Sequence, residues 1–181
     1  MAENPKTDPH RPVPDPSPWI VRFADHIPAQ GRVLDLACGS GRHSRFFYGL
    51  GHPITALDRD TSRIEDMAGQ LEVMTIDLED GRPFPLSARR FAAVIVTNYL
   101  HRPLLPLLPA LIAPAGILIY ETFAQGNERF GKPSNPDYLL RPGELLEAFA
   151  GHLRVLAYED LIVGKPRPAA IQRIAARREV T

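Results

Sequence analysis

The sequence predicts an α/β domain built on an open, mostly parallel sheet, and three observations support that prediction. Short apolar runs with the length of buried strands alternate with segments of helical spacing along most of the chain. The run at residues 91–97 is almost continuously apolar, which is typical of a central parallel strand buried on both faces. Another apolar run, residues 33–36, leads through small residues into a predicted helix over 42–50. This strand–loop–helix unit is where we expect a ligand to bind.

Length and charge limit the function classes. A chain of 181 residues is long enough for one such domain and little more. Its 21 basic and 21 acidic side chains cancel, so the basic footprint of a nucleic-acid-binding protein is missing and no nucleic-acid partner is expected. The single cysteine, Cys38, allows no intramolecular disulfide and no cysteine-based metal cluster, and we predict no metal site.

Two segments, residues 1–16 and 99–120, bear on targeting and on membrane association. Residues 1–16 are polar and rich in proline, which predicts a flexible tail that could fold over a bound ligand. This segment lacks the apolar core of a signal peptide. The apolar stretch 99–120 contains Arg102 and four prolines, which argues against a membrane span. We therefore expect a cytoplasmic protein without a membrane partner, in which residues 17–181 form a single domain.

The loop at residues 37–41 has almost no side-chain bulk. A ligand can lie against such a backbone, and free N–H groups at the start of the next helix can meet a negative group. A dinucleotide-binding loop has a third small residue where Arg42 stands, and a phosphate-binding Gly-Lys-Ser/Thr run does not occur. The loop favours a different nucleoside-bearing cofactor, with an ordinary turn as the alternative. Within it, Cys38 is either a nucleophile or a small buried residue.

Acidic residues follow the next two predicted strands. Asp58 closes the apolar run 54–57, about 20 residues after the glycine loop, where a carboxylate can accept hydrogen bonds from both ribose hydroxyls of an adenosine. Asp60 is the alternative for this role, although it could instead cap the next helix. Asp77 ends the third predicted strand, residues 71–76, in the same way.

The run over residues 32–64 resembles motif I and the following strand of the class I S-adenosylmethionine-dependent methyltransferases. Asp35, Ala37, Gly39 and Gly41 stand where that motif has an acidic residue followed by three glycines, and Ala37 is a mild departure because it is still small. The run is particularly similar to the small bacterial branch that includes the tellurite-resistance methyltransferases. From Trp19 to the C-terminus the resemblance is looser but follows the same order.

The resemblance implies a Rossmann-like sheet of seven strands in the order 3-2-1-4-5-7-6, mostly parallel with the last strand antiparallel, and flanked by helices. It implies S-adenosylmethionine as cofactor and S-adenosylhomocysteine as product. The neutral charge and a short lid favour a small-molecule methyl acceptor, and the resemblance to this branch points to an oxyanion or a thiol. In this family an acidic residue at the position of Asp77 holds the adenine amino group, while the backbone at Leu78 contacts the ring. The candidate cofactor-binding residues are Asp35, Ala37, Cys38, Gly39, Gly41, Asp58, Arg59, Asp77, Leu78, Asn98 and Tyr99.

Polar side chains follow the fourth predicted strand, and in open α/β sheets ligands bind beyond the carboxyl ends of the strands. Tyr99 could pack on the adenine or on the methylsulfonium, a cation that is attracted to an aromatic face. His101 could serve as a general base, since its unperturbed pKa lies near 6.5, or it could be a capping or surface histidine. Tyr99 and His101 are therefore the candidate catalytic residues.

The segment 122–142 is a long connection without a helix or strand pattern, and such loops are commonly functional. We predict a substrate lid, because a transferred methyl group must be shielded from water. Phe130, Tyr138 and Leu139 are expected to anchor it by apolar contacts. The candidate substrate-facing residues are Phe130, Tyr138 and Glu121.

The remaining segments complete the predicted alternation. Ser17 is predicted to be an N-cap with Pro18 at the first helical position. In that helix, Trp19 and Arg22 either cover the cofactor or lie in the core and on the solvated face. Further on we predict a crossover helix over 104–112, a turn at 114–116, a strand over 117–120, a helix over 143–149 and an antiparallel hairpin of strands 153–163 and 169–176.

Two rival functions remain open at this point. An NAD-linked oxidoreductase is disfavoured by Arg42 and would reveal itself by binding nicotinamide. A catalytically silent member of the family would bind S-adenosylmethionine and act through a protein partner, without methylating any acceptor.

Overall fold

Seven strands form a single sheet in the part of the chain that the computed structural model describes, residues 12–180. They are β1 (Val33–Leu36), β2 (Ile54–Asp58), β3 (Glu72–Thr75), β4 (Phe91–Thr97), β5 (Ile112–Phe123), β6 (Arg154–Val163) and β7 (Ala169–Arg177). Their order across the sheet is β3-β2-β1-β4-β5-β7-β6. The pairs from β3 to β5 are parallel, and β7 runs antiparallel to both of its neighbours. The predicted fold class, strand order and terminal hairpin are confirmed.

The sheet separates two apolar layers. Successive side chains of a strand point to opposite faces, so Val94 and Val96 of β4 enter one layer while Ala93 and Ile95 enter the other. All four side chains are buried, which explains why the fourth strand reads as a continuous apolar run. In the neighbouring β1 the buried exception is Asp35.

The chain enters the domain through a short helix, α1 (Pro18–Arg22), which begins as predicted. The Ser17 side chain accepts a hydrogen bond from the N–H of Trp19 at 3.2 Å, and Pro18 occupies the first position. Trp19 is buried with the guanidinium of Arg173 over its ring at 4.6 Å, whereas Arg22 is exposed. Trp19 therefore lies in the core and Arg22 on the solvated face, which was one of the two interpretations of these residues.

Residues 1–11 of the predicted flexible tail lie outside the described residues. Residues 12–16 have no regular secondary structure, and the carbonyl of Asp15 accepts a hydrogen bond from Arg42 at 3.5 Å. The longest helix in the described range is α2 (Arg42–Gly49), so none there is long or apolar enough to span a bilayer.

The crossover between β4 and β5 differs from the predicted helix over 104–112. Residues Arg102–Leu107 form a 3-10 helix, and only α3 (Leu108–Leu111) is α-helical. Prolines at 103, 106 and 109 explain the difference, because each removes an N–H donor and its ring disfavours a continuous α-helix.

The start of β5 also differs from prediction, because the strand begins at Ile112 rather than at 117. Its register against β4 jumps between Ile112 and Ile117, and Ala115 adopts a φ of 62°. The expected turn at 114–116 is therefore an irregularity inside a longer strand. Beyond β5, the predicted helix over 143–149 is found as α4 (Glu144–Phe149).

Candidate active site

The loop between β1 and α2 presents one open position and one closed position. Ala37, Gly39 and Gly41 all have positive φ angles, of 56°, 55° and 68°. A Cβ atom added at Gly39 would meet nothing within 4 Å, whereas one at Gly41 would lie 2.2 Å from Cδ1 of Ile64. Gly41 is therefore required for packing against Ile64, while Gly39 borders free space in which a ligand can lie against the backbone.

The carboxylate of Asp58 is held at the end of β2 by two backbone N–H groups. The N–H of Gly39 donates to Oδ2 at 2.8 Å, and the N–H of Asp60 donates to Oδ1 at 3.0 Å. Each carboxylate oxygen can accept more than one hydrogen bond, so Asp58 retains capacity for a ligand's hydroxyl groups. Asp60 accepts from the N–H of Ser62 at 3.1 Å, as expected of a residue that caps the following turn. Arg59, between them, is exposed.

Asp77 lies at the same rim of the sheet as Asp58. Strands β2 and β3 are parallel with Asp58 opposite Thr75, and the N–H of Ile76 donates to the carbonyl of Asp58 at 2.8 Å. The chain then reaches Asp77, which is exposed and accepts from the N–H of Glu79 at 2.9 Å. The carboxylates predicted to face one adenosine are thus carried by adjacent strand ends.

Tyr99, in the loop after β4, lies near the carboxylates of Asp58, Asp77 and Glu79. The side chain is half-buried, and burial raises its pKa well above the ordinary value, with further contributions from Glu79, Asp77 and Asp58. The phenol therefore stays protonated, and it is close enough to the three carboxylates to feel their charge. The preceding Asn98 is exposed with a φ of 54°, and its N–H donates to the carbonyl of Glu121 at 2.9 Å.

Asp35 supports the loop from within the protein. Its side chain is almost completely buried and accepts hydrogen bonds from both the N–H and the hydroxyl of Ser44, at 2.9 and 2.6 Å. Burial raises its pKa to about 6, although the bonds from Ser44 act in the opposite direction. Because this carboxylate ties β1 to the first turn of α2, the structure gives it a supporting role in place of the direct cofactor contact we predicted.

Cys38 behaves as a small buried residue. Burial raises the pKa of its thiol far above the usual range, and the charges of Asp35 and Asp58 raise it further. A thiol that stays protonated is a poor nucleophile, so the nucleophile alternative finds no support in its surroundings. Its N–H donates to the carbonyl of Leu57 at 3.0 Å, which fixes the loop to β2.

His43 is a component of the site region that the sequence analysis missed. The N–H of Ser17 donates to its Nε2 at 3.1 Å, so the proton of the neutral ring is on Nδ1, which lies 3.4 Å from the hydroxyl of Thr97. Burial, reinforced by the positive charge of Arg42, lowers the pKa of His43 to about 3. The ring therefore links the entry to α1 with the end of β4. Its only sequence signal is its place one residue after Arg42 in the first turn of α2.

Glu121 lies in β5, outside the segment predicted to form a lid. Its side chain is largely buried, accepts from the hydroxyl of Ser17 at 2.7 Å and pairs with Arg173 at 3.1 Å. Its position near the end of the fifth strand is as expected, and its contact with the substrate stays a prediction. The carboxylate joins the N-terminal segment to β7, because Glu121 and Arg173 lie opposite each other in register and their side chains share one face of the sheet.

The predicted lid is held at its ends and exposed in between. Ala124 and Leu140 form a bridge in parallel orientation, and the N–H of Ala124 also donates to the carbonyl of Ala170 at 2.9 Å. Leu139 is buried, as expected of an anchor. Phe130 and Tyr138 are 42% and 50% exposed, so the prediction that they anchor the segment is wrong, and their rings remain available at its surface.

His101 lines a cavity of about 520 Å³ beside the loop after β3. Leu78 and Phe84 form part of its apolar wall, and Asp77 and Glu79 line it as well. The candidate base thus lies on the side of the site that carries Asp77. Within residues 12–180, no three His, Cys, Asp or Glu side chains are grouped as metal ligands.

One family model, two curated relatives and several solved structures are similar to this chain. A family model described as tellurite resistance protein TehB matches residues 20–82. Ribosomal protein L11 methyltransferases of Bordetella parapertussis and Bordetella bronchiseptica are each 36% identical over 97 residues, which is 51% of this chain and 31% of theirs. The chain therefore spans less than a third of the length of these curated relatives.

Solved structures share the fold at low identity. TehB from Haemophilus influenzae has a TM-score of 0.67 and 17% identity, over 88% of this chain and 61% of that one. The 1,6-didemethyltoxoflavin-N1-methyltransferase of Burkholderia thailandensis, solved with 1,6-didemethyltoxoflavin and S-adenosylhomocysteine, has a TM-score of 0.66 and 18% identity, over 90% and 77%. The glycopeptide N-methyltransferase MtfA, complexed with S-adenosylhomocysteine, has a TM-score of 0.60 and 18% identity, over 87% of each chain.

Proposed function

From the premise that this chain has the class I S-adenosylmethionine-dependent methyltransferase fold, with residues 20–82 matching the TehB family, we propose that it transfers a methyl group to a small molecule. The resemblance predicted from the sequence is confirmed by that family match and by the shared fold. The proposal depends on one observation: Gly39, Asp58 and Asp77 lie at the same rim of the sheet.

The residues at this rim fit an adenosine. Space is free at Gly39, so a ligand can approach the loop backbone. Asp58 is preoriented by two N–H groups and can still accept from ribose hydroxyls. Asp77 is exposed beside it, and with the backbone of Leu78 it would hold the adenine base. Ala37, Cys38 and Gly41 would shape the loop around the cofactor without supplying polar side chains.

Bound at this site, S-adenosylmethionine would supply an electrophilic methyl group on a sulfonium for in-line displacement, with S-adenosylhomocysteine as product. The chain's own contribution is to bind and orient, and orientation alone can provide roughly 7–11 kcal/mol in the best intramolecular models. The aromatic face of Tyr99 suits a cation, and its phenol stays neutral. His101 is our candidate for removing a proton from an acceptor that must lose one.

Several observations support a small acceptor. The formal charge of the chain is zero, which disfavours a nucleic acid as the acceptor. The segment 122–142 would form the outer wall on the acceptor side, with Phe130 and Tyr138 as its exposed aromatic rings. The name of the matching family, tellurite resistance protein, makes oxyanions the first acceptors to test, followed by thiols.

The decisive experiment combines binding with turnover. Calorimetric titration with S-adenosylmethionine and S-adenosylhomocysteine should show saturable binding of both. A screen with methyl-labelled cofactor against tellurite, selenite, small thiols and a broad metabolite panel should then transfer label to at least one acceptor. Failure to bind either compound would refute the cofactor. Tight binding without label transfer would favour the alternative, a silent member of the family that acts through a protein partner.

A further inference from the structure

Arg102 forms a concentrated set of polar contacts near the candidate site. It directly follows His101 and starts the 3-10 helix after β4. Its Nε donates to Oε1 of Glu144 at 2.7 Å, and its Nη2 donates to Oε2 of the same carboxylate at 3.0 Å. Such a two-point pair fixes the direction as well as the distance between the two side chains. Arg102 is thereby joined to the first residue of α4.

The same guanidinium also holds the backbone of the segment 122–142. Its Nη1 donates to the carbonyl of Asp137 at 2.7 Å, and its Nη2 donates to the carbonyl of Leu139 at 2.8 Å. Four of the five N–H groups of Arg102 are thus used on this segment and on α4. Little donor capacity remains for a substrate, so Arg102 can influence a reaction only through the groups that it positions.

The partner carboxylate is itself fixed. Glu144 is buried and also accepts from the N–H of Arg141 at 2.7 Å. Gln172 of β7, which is fully buried, donates to the carbonyl of Arg141 at 2.5 Å and accepts from the N–H of Leu145 at 3.3 Å. The start of α4 is therefore bound to the sheet on one side and to the loop after β4 on the other.

We propose that Arg102 is a positioning residue that couples the acceptor-side segment 122–142 to the loop carrying Tyr99 and His101. The inference rests on the proposed function. Arg102 fixes the distance between the segment's wall and the place of methyl transfer, and errors of about 1 Å in such distances can reduce rates about a hundredfold. The proposed ribose and adenine contacts lie at and beyond the ends of β1, β2 and β3, and Arg102 makes no hydrogen bond to these segments among the described residues.

The test uses the full chain and three variants. Arg102→Gln removes the charge and most of the donors. Arg102→Lys keeps the charge for Glu144 but cannot reach both carbonyls in the same planar geometry. Arg141→Gln is the matched control, because Arg141 is 63% exposed and its side chain lies 3.6 Å from the same carboxylate. Each variant is measured by amide hydrogen exchange over 124–145, calorimetry with S-adenosylhomocysteine, and steady-state kinetics with an acceptor found in the labelled screen.

For Arg102→Gln we expect at least tenfold faster exchange at residues 137–145 and a kcat/KM for the acceptor reduced at least tenfold. The affinity for S-adenosylhomocysteine should stay within twofold of wild type. Arg102→Lys should recover part of both losses, and Arg141→Gln should match wild type. Unchanged exchange, unchanged acceptor kinetics or an equal loss of cofactor affinity in Arg102→Gln would overturn the proposal. A wild type that binds S-adenosylhomocysteine but methylates nothing overturns the proposed function alone, because the exchange measurement judges the coupling without an acceptor.

Discussion

The backbone N–H of Gly39 donates to Oδ2 of Asp58 at 2.8 Å, so the loop after β1 and the end of β2 are joined by a charge-assisted hydrogen bond. The carboxylate is held in one orientation before any ligand arrives. Preorganisation of this kind lowers the entropy that ligand binding would otherwise cost. It also makes the loop and the carboxylate a single unit, and this has consequences for mutants of either one.

Asp58→Asn should weaken S-adenosylhomocysteine binding by about tenfold to a hundredfold, because hydrogen bonds to a charged group contribute about 1.5–3 kcal/mol. The amide can still accept from Gly39, so the fold should persist. Asp60→Asn is the control, since Asp60 is exposed and bonded to Ser62. Calorimetry should find Asp60→Asn within twofold of wild type. If Asp60→Asn weakens binding and Asp58→Asn does not, the ribose role belongs to Asp60.

Gly39→Ala should reduce cofactor affinity more than it reduces stability. The added methyl group meets nothing within 4 Å in the protein, but it would occupy the free space where the ligand is proposed to lie. Gly69→Ala is a matched control: Gly69 also has a positive φ, of 84°, with nothing within 4 Å of an added Cβ, but it belongs to the turn before β3 and not to the loop. Both variants should lose about 1 kcal/mol of unfolding free energy in urea, and only Gly39→Ala should bind S-adenosylhomocysteine more weakly. Equal affinity in the two would remove the ligand from the loop.

The parts of the site that follow from sequence are those at strand ends. Buried parallel strands have a recognisable apolar run, so the residues directly after each run could be placed at one rim without knowing any long-range contact. Asp58 and Asp77 were placed in this way, and the structure has Asp58 at the end of β2 and Asp77 just beyond the end of the neighbouring β3. The hairpin of β6 and β7 was equally visible as two runs separated by a turn.

The parts that sequence could not supply depend on contacts between distant residues. The bond from Ser17 to His43 spans 26 positions, and the bond from Ser17 to Glu121 spans 104. No local pattern marks such pairs. The prediction that Phe130 and Tyr138 anchor their segment failed for a related reason. The way in which the ends of an irregular segment are fixed decides which of its side chains turn inward, and here Leu139 and Leu140 are the buried ones.

Ala37→Gly should stabilise the protein by up to about 1.5 kcal/mol. Ala37 has a φ of 56°, a conformation that costs residues other than glycine about 1–2 kcal/mol. Glycine removes this cost, but its greater freedom in the unfolded chain lowers the stability by about 0.4–1 kcal/mol. Ala68→Gly is the control, because Ala68 is exposed with an ordinary φ of −57° and should lose stability. Urea unfolding measures both. Destabilisation of equal size in the two variants would show that the Ala37 methyl group contributes more by packing than its backbone costs.

The double variant Phe130→Ala with Tyr138→Ala should lower kcat/KM for the acceptor about tenfold while leaving S-adenosylhomocysteine affinity within twofold. Both rings are exposed, so their loss should change the unfolding free energy by only about 0.5 kcal/mol. Ile162→Ala removes a comparably exposed apolar side chain from β6 and should leave all three quantities unchanged. Full acceptor activity in the double variant would reject these rings as substrate contacts.

His43 and Asp35 should give opposite pH dependences of stability. Burial lowers the pKa of His43 to about 3, so the folded state excludes a proton that the unfolded chain binds below about 6.5. The stability associated with neutral His43 is present above pH 6.5 and is lost as the pH falls towards 3. Burial raises the pKa of Asp35 to about 6, so its folded state gains a proton first and stability rises as the pH falls from 6 to 3.8.

Urea unfolding at about pH 7 and about pH 5 separates the two contributions. On going from about pH 7 to about pH 5, His43 should lower the free energy of unfolding by about 2 kcal/mol, and Asp35 should raise it by a little over about 1 kcal/mol. The two contributions therefore largely offset each other in the wild type. His43→Gln should therefore lose about 2 kcal/mol less than wild type on acidification, and Asp35→Asn should lose more than wild type. If wild type and His43→Gln respond identically to pH, the ring is not held neutral by its burial and its contact with Ser17.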